Sequence, residues 1–261
     1  MVNIPMKISG SFNSQNIESI NSIKIQTSKS SNNILELNKS ISNHNNKTFT
    51  EGCSTTNVTQ HNTNSETSVN TISHLTIPHL HNTVQKGQKI TLFPKENSSS
   101  IDVLLGWNVK NPKCDVDVSA FLLGDNGKVL GDSWFVFYGQ TTSPDNSVNL
   151  SICTDTDREK IHIDLSKLNT SVKKIVFVLT INDALINNLN FGMLKDAYIR
   201  IIDNTGKELV SFLMSDYYSN VISMMIGEVY MHNGTWKFSA IGNGVARDLE
   251  GLCNLYGVEV N

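Results

Sequence analysis

Ile226-Gly227-Glu228-Val229-Tyr230 and Thr235-Trp236-Lys237-Phe238-Ser239, joined through His232-Asn233-Gly234, form the stretch that decides the fold. Apolar and polar residues alternate on both sides of Asn233-Gly234, a pair that supplies the positive φ angles a tight hairpin needs. The same grammar occurs twice more upstream. Ala120-Phe121-Leu122-Leu123 and Lys128-Val129-Leu130 flank Asp125-Asn126-Gly127, and Tyr198-Ile199-Arg200-Ile201-Ile202 and Glu208-Leu209-Val210-Ser211-Phe212 flank Asn204-Thr205-Gly206. Ile161-His162-Ile163-Asp164-Leu165 alternates with period two, whereas Ile175-Val176-Phe177-Val178-Leu179 is apolar throughout and reads as a central strand covered on both faces. A mainly β protein built of two packed antiparallel sheets is the expectation. Short helices are expected at 183–189, 215–219 and 246–256, the last because Leu249, Leu252, Cys253 and Tyr256 recur at helical spacing. Gly242-Asn243-Gly244 reads as a turn into that helix; no Lys-Ser/Thr follows it, so it is not a phosphate loop.

Away from these segments the composition changes. Of 261 residues 39% are hydrophobic and 17% charged, but no tryptophan precedes Trp107, no tyrosine precedes Tyr138, and Phe12 and Phe49 are the only phenylalanines before Phe93. Asn, Ser, Thr and Ile dominate the first third, which cannot bury enough apolar surface to offset the entropy of ordering it. Residues 1–82 are therefore expected to be a disordered Asn/Ser/Thr-rich tail and 83–261 the folded domain. Within the tail, Ile17 to Ile25 and the set Ile34, Leu35, Leu37, Ile41 have amphipathic character suited to folding on a partner. His74, His79 and His81 cluster before the domain; lacking a second ligand set, they read as part of a polar linker.

A net charge of −3 without a basic block argues against nucleic acid. No apolar run approaches the roughly 20 residues that span a bilayer, and no basic-then-apolar leader opens the chain. A cytoplasmic protein without an integral membrane segment is expected. Cys53, Cys114, Cys153 and Cys253 form no Cys-x-x-Cys pair and read as free thiols of a reducing compartment.

One family carries this string of motifs. Lys86-Gly87-Gln88-Lys89-Ile90-Thr91-Leu92, Leu105-Gly106-Trp107 and Asp115-Val116-Asp117-Val118-Ser119-Ala120-Phe121-Leu122-Leu123 are followed by Phe135-Val136-Phe137-Tyr138, Ser143-Pro144-Asp145 and Lys174-Ile175-Val176-Phe177-Val178-Leu179-Thr180-Ile181. Asn190-Phe191-Gly192, the hairpin that opened this section and Leu255-Tyr256-Gly257-Val258 complete the series. In this order they resemble the TerD family of tellurium-resistance and stress-response proteins, over essentially all of 84–260. The resemblance implies a β-sandwich of two antiparallel sheets with a few short helices. It also implies a non-catalytic role in resistance to chemical stress, protein partners from the same resistance system, and calcium bound by acidic loops at one end. Calcium is a hard cation that takes six to eight oxygen ligands.

Carried over residue by residue, the calcium ligands would be Asp115, Asp117, Asp132, Asp145, Asp155, Asp157 and Glu159. Asp115 and Asp117 alternate along one strand and share a face, where two carboxylates repel unless a cation or hydrogen bonds stabilise them. Other positions depart from the pattern. Asn108 stands where the family has an aspartate after the tryptophan, Trp134 replaces one carboxylate of an Asp-x-Asp, and Arg158 puts an opposing charge among Asp155, Asp157 and Glu159. Since ligand charge sets affinity, the expectation is calcium binding that is weakened or lost, and Asp115, Asp132 and Asp145 are equally suited to turns and backbone hydrogen bonds. A calcium-dependent sensor that binds a partner or a membrane surface through the ion is the alternative. Catalysis has little support: His162 and Asp164 share a strand face, His232 borders a turn, and Cys153 near His162 is the sole imaginable thiol and imidazole pair.

Overall fold

The computed structural model describes residues 74–93, 99–153 and 156–260. Eleven strands run β1 Lys89–Thr91, β2 Ser100–Val109, β3 Val116–Leu123, β4 Phe135–Val136, β5 Val148–Ile152, β6 Glu159–Asp164, β7 Lys174–Ile181, β8 Leu194–Asp203, β9 Glu208–Leu213, β10 Ser223–His232 and β11 Thr235–Val245. Among the described residues one α-helix, α1, follows at Leu249–Tyr256. Two wholly antiparallel sheets result, a six-stranded one ordered β1-β11-β10-β7-β3-β4 and a five-stranded one ordered β5-β6-β2-β8-β9.

Alternation along the strands builds the core. Val116, Val118, Ala120 and Leu122 of β3 and Ile175, Phe177, Leu179 and Ile181 of β7 face Ile101, Val103, Leu105 and Trp107 of β2 and Ile161 and Ile163 of β6 in one buried cluster. This is the expected sandwich, with apolar β7 held between β10 and β3. The opposite face of β3 is covered too: Phe121 stacks on Phe135 (4.4 Å) and packs on Tyr256 of α1 (4.5 Å), and Phe135 stacks on Phe137 (4.6 Å). At Gly106 an added Cβ would lie 2.5 Å from the Tyr198 ring, so only glycine lets β2 run so close to β8, just before the register shift between Gly106 and Asn108.

Two of the three expected hairpins form as read. β10 and β11 close at His232 and Thr235 through Asn233 (φ 50) and Gly234 (φ 73), and β8 and β9 close through Gly206 (φ 82). The third does not: after Asp125-Asn126-Gly127 only Leu123 and Val129 bridge, and the Val129 amide then donates to the Tyr256 carbonyl, so β3 takes β4 as its partner instead. Of the expected helices only α1 appears, capped by Asp248, which accepts from the Gly251 amide, and ended by Gly257 in the left-handed region. Residues 182–188 form successive turns from Asp183 at φ 50, and 215–219 contain no helix. Gly242-Asn243-Gly244 lies within β11, where Asn243 and Gly244 pair with Met225 and Met224.

Residues 74–82, read as the end of the tail, lie against the sandwich as a strap. Asn108 accepts from the Leu75 amide (2.8 Å) and donates to its carbonyl (2.9 Å), and Glu208 Oε1 accepts from the amides of His81 (2.9 Å) and Asn82 (2.8 Å). Ser211 on β9 donates to the Asn82 carbonyl and accepts from the Val84 amide, so a single parallel bridge at Thr83 covers that sheet edge. The remainder of the tail, including both amphipathic stretches and Cys53, lies outside the described residues. No helix among the described residues is long and apolar enough to cross a membrane.

Candidate functional site

At one end of the sandwich carboxylates from the two sheets lie within electrostatic reach of one another, although Asp117, alternating with core-facing Val116 and Val118, projects from the outer face of its strand. Asp117 belongs to β3, opposite Thr180 of β7, and Asp115 precedes the strand, its carbonyl accepting from the Asn182 amide. Glu159 opens β6 with the same parity as Ile161 and Ile163, so it points inward from the five-stranded sheet. Beyond two-residue β4, the Val118 amide finds Glu159 Oε2 as its acceptor at 3.2 Å.

These groups destabilise one another as anions. Burial first, then the charge of Asp115, pushes Asp117 up to about 7. Burial, then Asp117, pushes Glu159 up to about 8, with the Val118 hydrogen bond opposing and Asp115 adding to the rise. Tyr138 is raised by burial and then by Asp117, Asp115 and Asp183, so Asp183 acts at this end of the molecule as well. In the sequence Asp183 only opens the stretch 183–189 expected to be helical, and Tyr138 only ends the Phe135-Val136-Phe137-Tyr138 motif. Their contribution here depends on how the loops after β4 and β7 fold, for which no local pattern exists.

The other expected ligands are engaged elsewhere. Asp132 begins a short 3-10 turn and its Oδ1 accepts from the Glu259 amide (2.9 Å). Asp145 organises a turn: Oδ1 accepts from the hydroxyls of Ser143 (2.7 Å) and Ser147 (2.6 Å) and the Ser147 amide (3.0 Å), while Oδ2 accepts from the Asn169 amide (2.8 Å). Partial burial works against its charged form, but the hydrogen bonds from Ser147, Ser143 and Asn169 outweigh it and hold the carboxyl below its usual range. Asp157, 6% exposed, is held by Arg200 of β8 through Nη2 (2.6 Å) and Nε (3.0 Å), and by the Tyr198 hydroxyl (2.8 Å). The local sequence pointed to Arg158 as the opposing charge; Arg158 Nε donates to the Trp107 carbonyl at 3.1 Å. Asn108, 2% exposed, spends its amide on Leu75 and on Asp196 Oδ2 (3.1 Å) instead of joining the acidic group. Asp155 lies outside the described residues.

As a donor set, Asp115, Asp117 and Glu159 suit a hard cation in chemistry, being all oxygen and contributed by both sheets. Their spacing is looser than a closed site: among the described residues no three His, Cys, Asp or Glu side chains converge enough to hold a metal. The residues considered for catalysis have structural partners or unsuitable environments. His162 Nδ1 pairs with Asp102 Oδ1 at 2.6 Å, and burial, then Asp157, pushes the Cys153 thiol up, away from the reactive thiolate.

The model of the TerD domain matches residues 80–256. The tellurium resistance protein TerD of Serratia marcescens is 38% identical over 188 residues, 68% of this chain and 98% of that protein. General stress protein 16U of Bacillus subtilis is 36% identical over 186 residues, 67% of this chain and 96% of that protein. A crystal structure of a homologue of telluride resistance protein from Streptomyces coelicolor aligns with TM-score 0.47 at 18% identity, covering 63% of this chain and 100% of that one.

Proposed function

The chain belongs to the TerD domain family, and from that premise we propose that it is a cytoplasmic stress-response protein that acts by binding a protein partner, with a weak calcium site at its acidic end. The stress-response part rests on its relatives, named as tellurium resistance and general stress proteins. The binding part rests on one observation: Asp117 and Glu159, from different sheets, are held together at a cost that no neighbouring cation offsets among the causes acting on them. Two carboxyls so placed repel when both are ionised, and a bound cation would turn that repulsion into attraction. Asp117 and Glu159 would be the carboxylate ligands of a loosely held calcium ion, Asp115 adding charge from farther off and water and main-chain oxygens completing its shell, and the ion would neutralise this end of the sandwich. Next to it in the chain, Leu185 (61% exposed) and Ile186 (48% exposed) follow Asp183, giving the acidic end an apolar surface for a partner from the same resistance system. The raised Cys153 thiol and the engaged His162 support a non-catalytic role.

Calorimetric titration of the full chain with calcium tests the reading, with Asp115→Asn/Asp117→Asn as the control. Saturable binding that the double variant loses is expected, together with partner capture that falls in Leu185→Asp/Ile186→Asp. Absence of saturation up to millimolar calcium would remove the ion from the proposal, and capture unchanged in both variants would move the binding surface elsewhere.

A further inference from the structure

The strap carries two histidines that neither the fold nor the acidic end uses. In Thr76-Ile77-Pro78-His79-Leu80-His81-Asn82, Leu80 is half-buried while His79 and His81 are exposed, so alternation puts both imidazoles on the solvent side. Their ring centres are 4.3 Å apart with planes inclined by 45°. Two nitrogens bound at about 2.0–2.1 Å to one tetrahedral ion lie roughly 3.3 Å apart, a spacing within reach of rings so placed.

The backbone beneath them is already fixed. Asn108 holds Leu75 on one side, Glu208 takes the amides of His81 and Asn82 on the other, Asn82 Nδ2 donates to the Glu208 carbonyl (2.7 Å), and Pro78 restricts the chain between. An ion at the two rings would therefore order side chains only, which lowers the cost of binding. Charge is favourable as well: Glu208 is 8% exposed, and its Oε2 has no hydrogen-bond partner, so a buried carboxylate that is only half satisfied sits at the His81 amide. Neither imidazole is committed to a hydrogen bond or ion pair among the described residues.

We infer that His79 and His81 form a two-imidazole site for a borderline divalent transition metal of the zinc, nickel or copper class. Imidazole selects these ions over calcium, which takes oxygen, so the site is chemically separate from the acidic end. No third His, Cys, Asp or Glu converges on the pair among the described residues, so water fills the remaining positions and the ion exchanges readily.

The test uses the full chain, stripped of metal and titrated calorimetrically with zinc in the presence of excess calcium. One equivalent of zinc should bind; His79→Ala or His81→Ala should each weaken it at least about tenfold, and the double variant should abolish it, while His162→Ala leaves it in place. Both histidines are exposed, so the thermal midpoint of the metal-free double variant should match the parent and show that the fold is intact. With copper replacing zinc, the paramagnetic spectrum should carry hyperfine structure from two nitrogens, reduced to one in either single variant. A zinc isotherm unchanged in the double variant, no saturable zinc binding at all, or displacement of zinc by calcium would each overturn the inference.

Discussion

Asp145 and Asp117 stand close to strands of the same sandwich, and the fold moves their protonation in opposite directions. Asp145 is surrounded by donors: two serine hydroxyls and two amides point at its oxygens, and its carboxyl is held below the usual range. Asp117 is surrounded by carboxylates and by burial, and is pushed up to about 7. Asp157 is likewise met by donors, a guanidinium and a phenol, whereas Glu159, like Asp117, is pushed up by burial and by a neighbouring carboxylate. Identical side chains thus serve opposite ends. Those met by donors stabilise the fold by themselves, and those met by each other cost stability until something from outside arrives.

The sharpest way to break this division is at Asp157. Replacing it by alanine leaves the Arg200 guanidinium, its side chain 18% exposed, without its carboxylate and strips the Tyr198 hydroxyl of one acceptor. Removing one partner of a buried pair costs about 3 kcal/mol or more, so thermal denaturation should show a midpoint lower by roughly 10 °C. A fall of less than about 2 °C would place Asp157 with the unsatisfied carboxylates instead.

Asp145→Ala should come next. It strips the Ser143 and Ser147 hydroxyls, 2% and 1% exposed by residue, of their acceptor, leaving them only each other at 3.4 Å, and orphans two amides, a loss of about 1–2 kcal/mol read as the denaturant midpoint at constant slope. Its pH dependence has a definite sign. Because the folded pKa is depressed, the contribution is present above the ordinary carboxylate range and is lost as pH falls through the folded value. The gap between variant and parent should therefore shrink in acid; a gap independent of pH would mean that the charge of Asp145 does not matter.

The sequence is legible where a rule is local and illegible where partners are distant. Asn233-Gly234 and the alternation of Ile161 and Ile163 determine their elements within a few residues, and both form as read. Asp125-Asn126-Gly127 carries the same hairpin signal, but β3 goes on to pair with Phe135-Val136 while Val129 turns to α1, a tertiary competition that the local pattern does not contain. The site divides the same way. Asp115 and Asp117 are visible as a pair through their spacing of two, and Asp145 through its Ser-Pro-Asp turn. That Arg200, 43 residues away, takes Asp157, and that Leu75 takes Asn108, depends on β2 and β8 lying side by side. Spacing shows which carboxylates share a face, but not which of them will find a donor.

The smallest effect is also the one that bears most directly on function. Asp117 and Glu159 have folded pKa values above their ordinary ones, so their contribution favours the folded state fully below about pH 4 and drains away as pH rises through about 7 and 8. In chelator, the thermal midpoint of the parent should fall between pH 5 and 8.5 by a few degrees more than that of Asp117→Asn, which removes one charge and relaxes the other. Calcium should reverse the difference. Because the ion competes with protons for the same carboxylates, millimolar calcium should raise the parent midpoint at pH 8 and leave it nearly unchanged at pH 5, with no effect on the variant at either. Equal slopes for parent and variant in chelator would show that Asp117 and Glu159 do not repel as their placement requires. A calcium response that survives in Asp117→Asn would move the ion away from the place where the two sheets bring their carboxylates together.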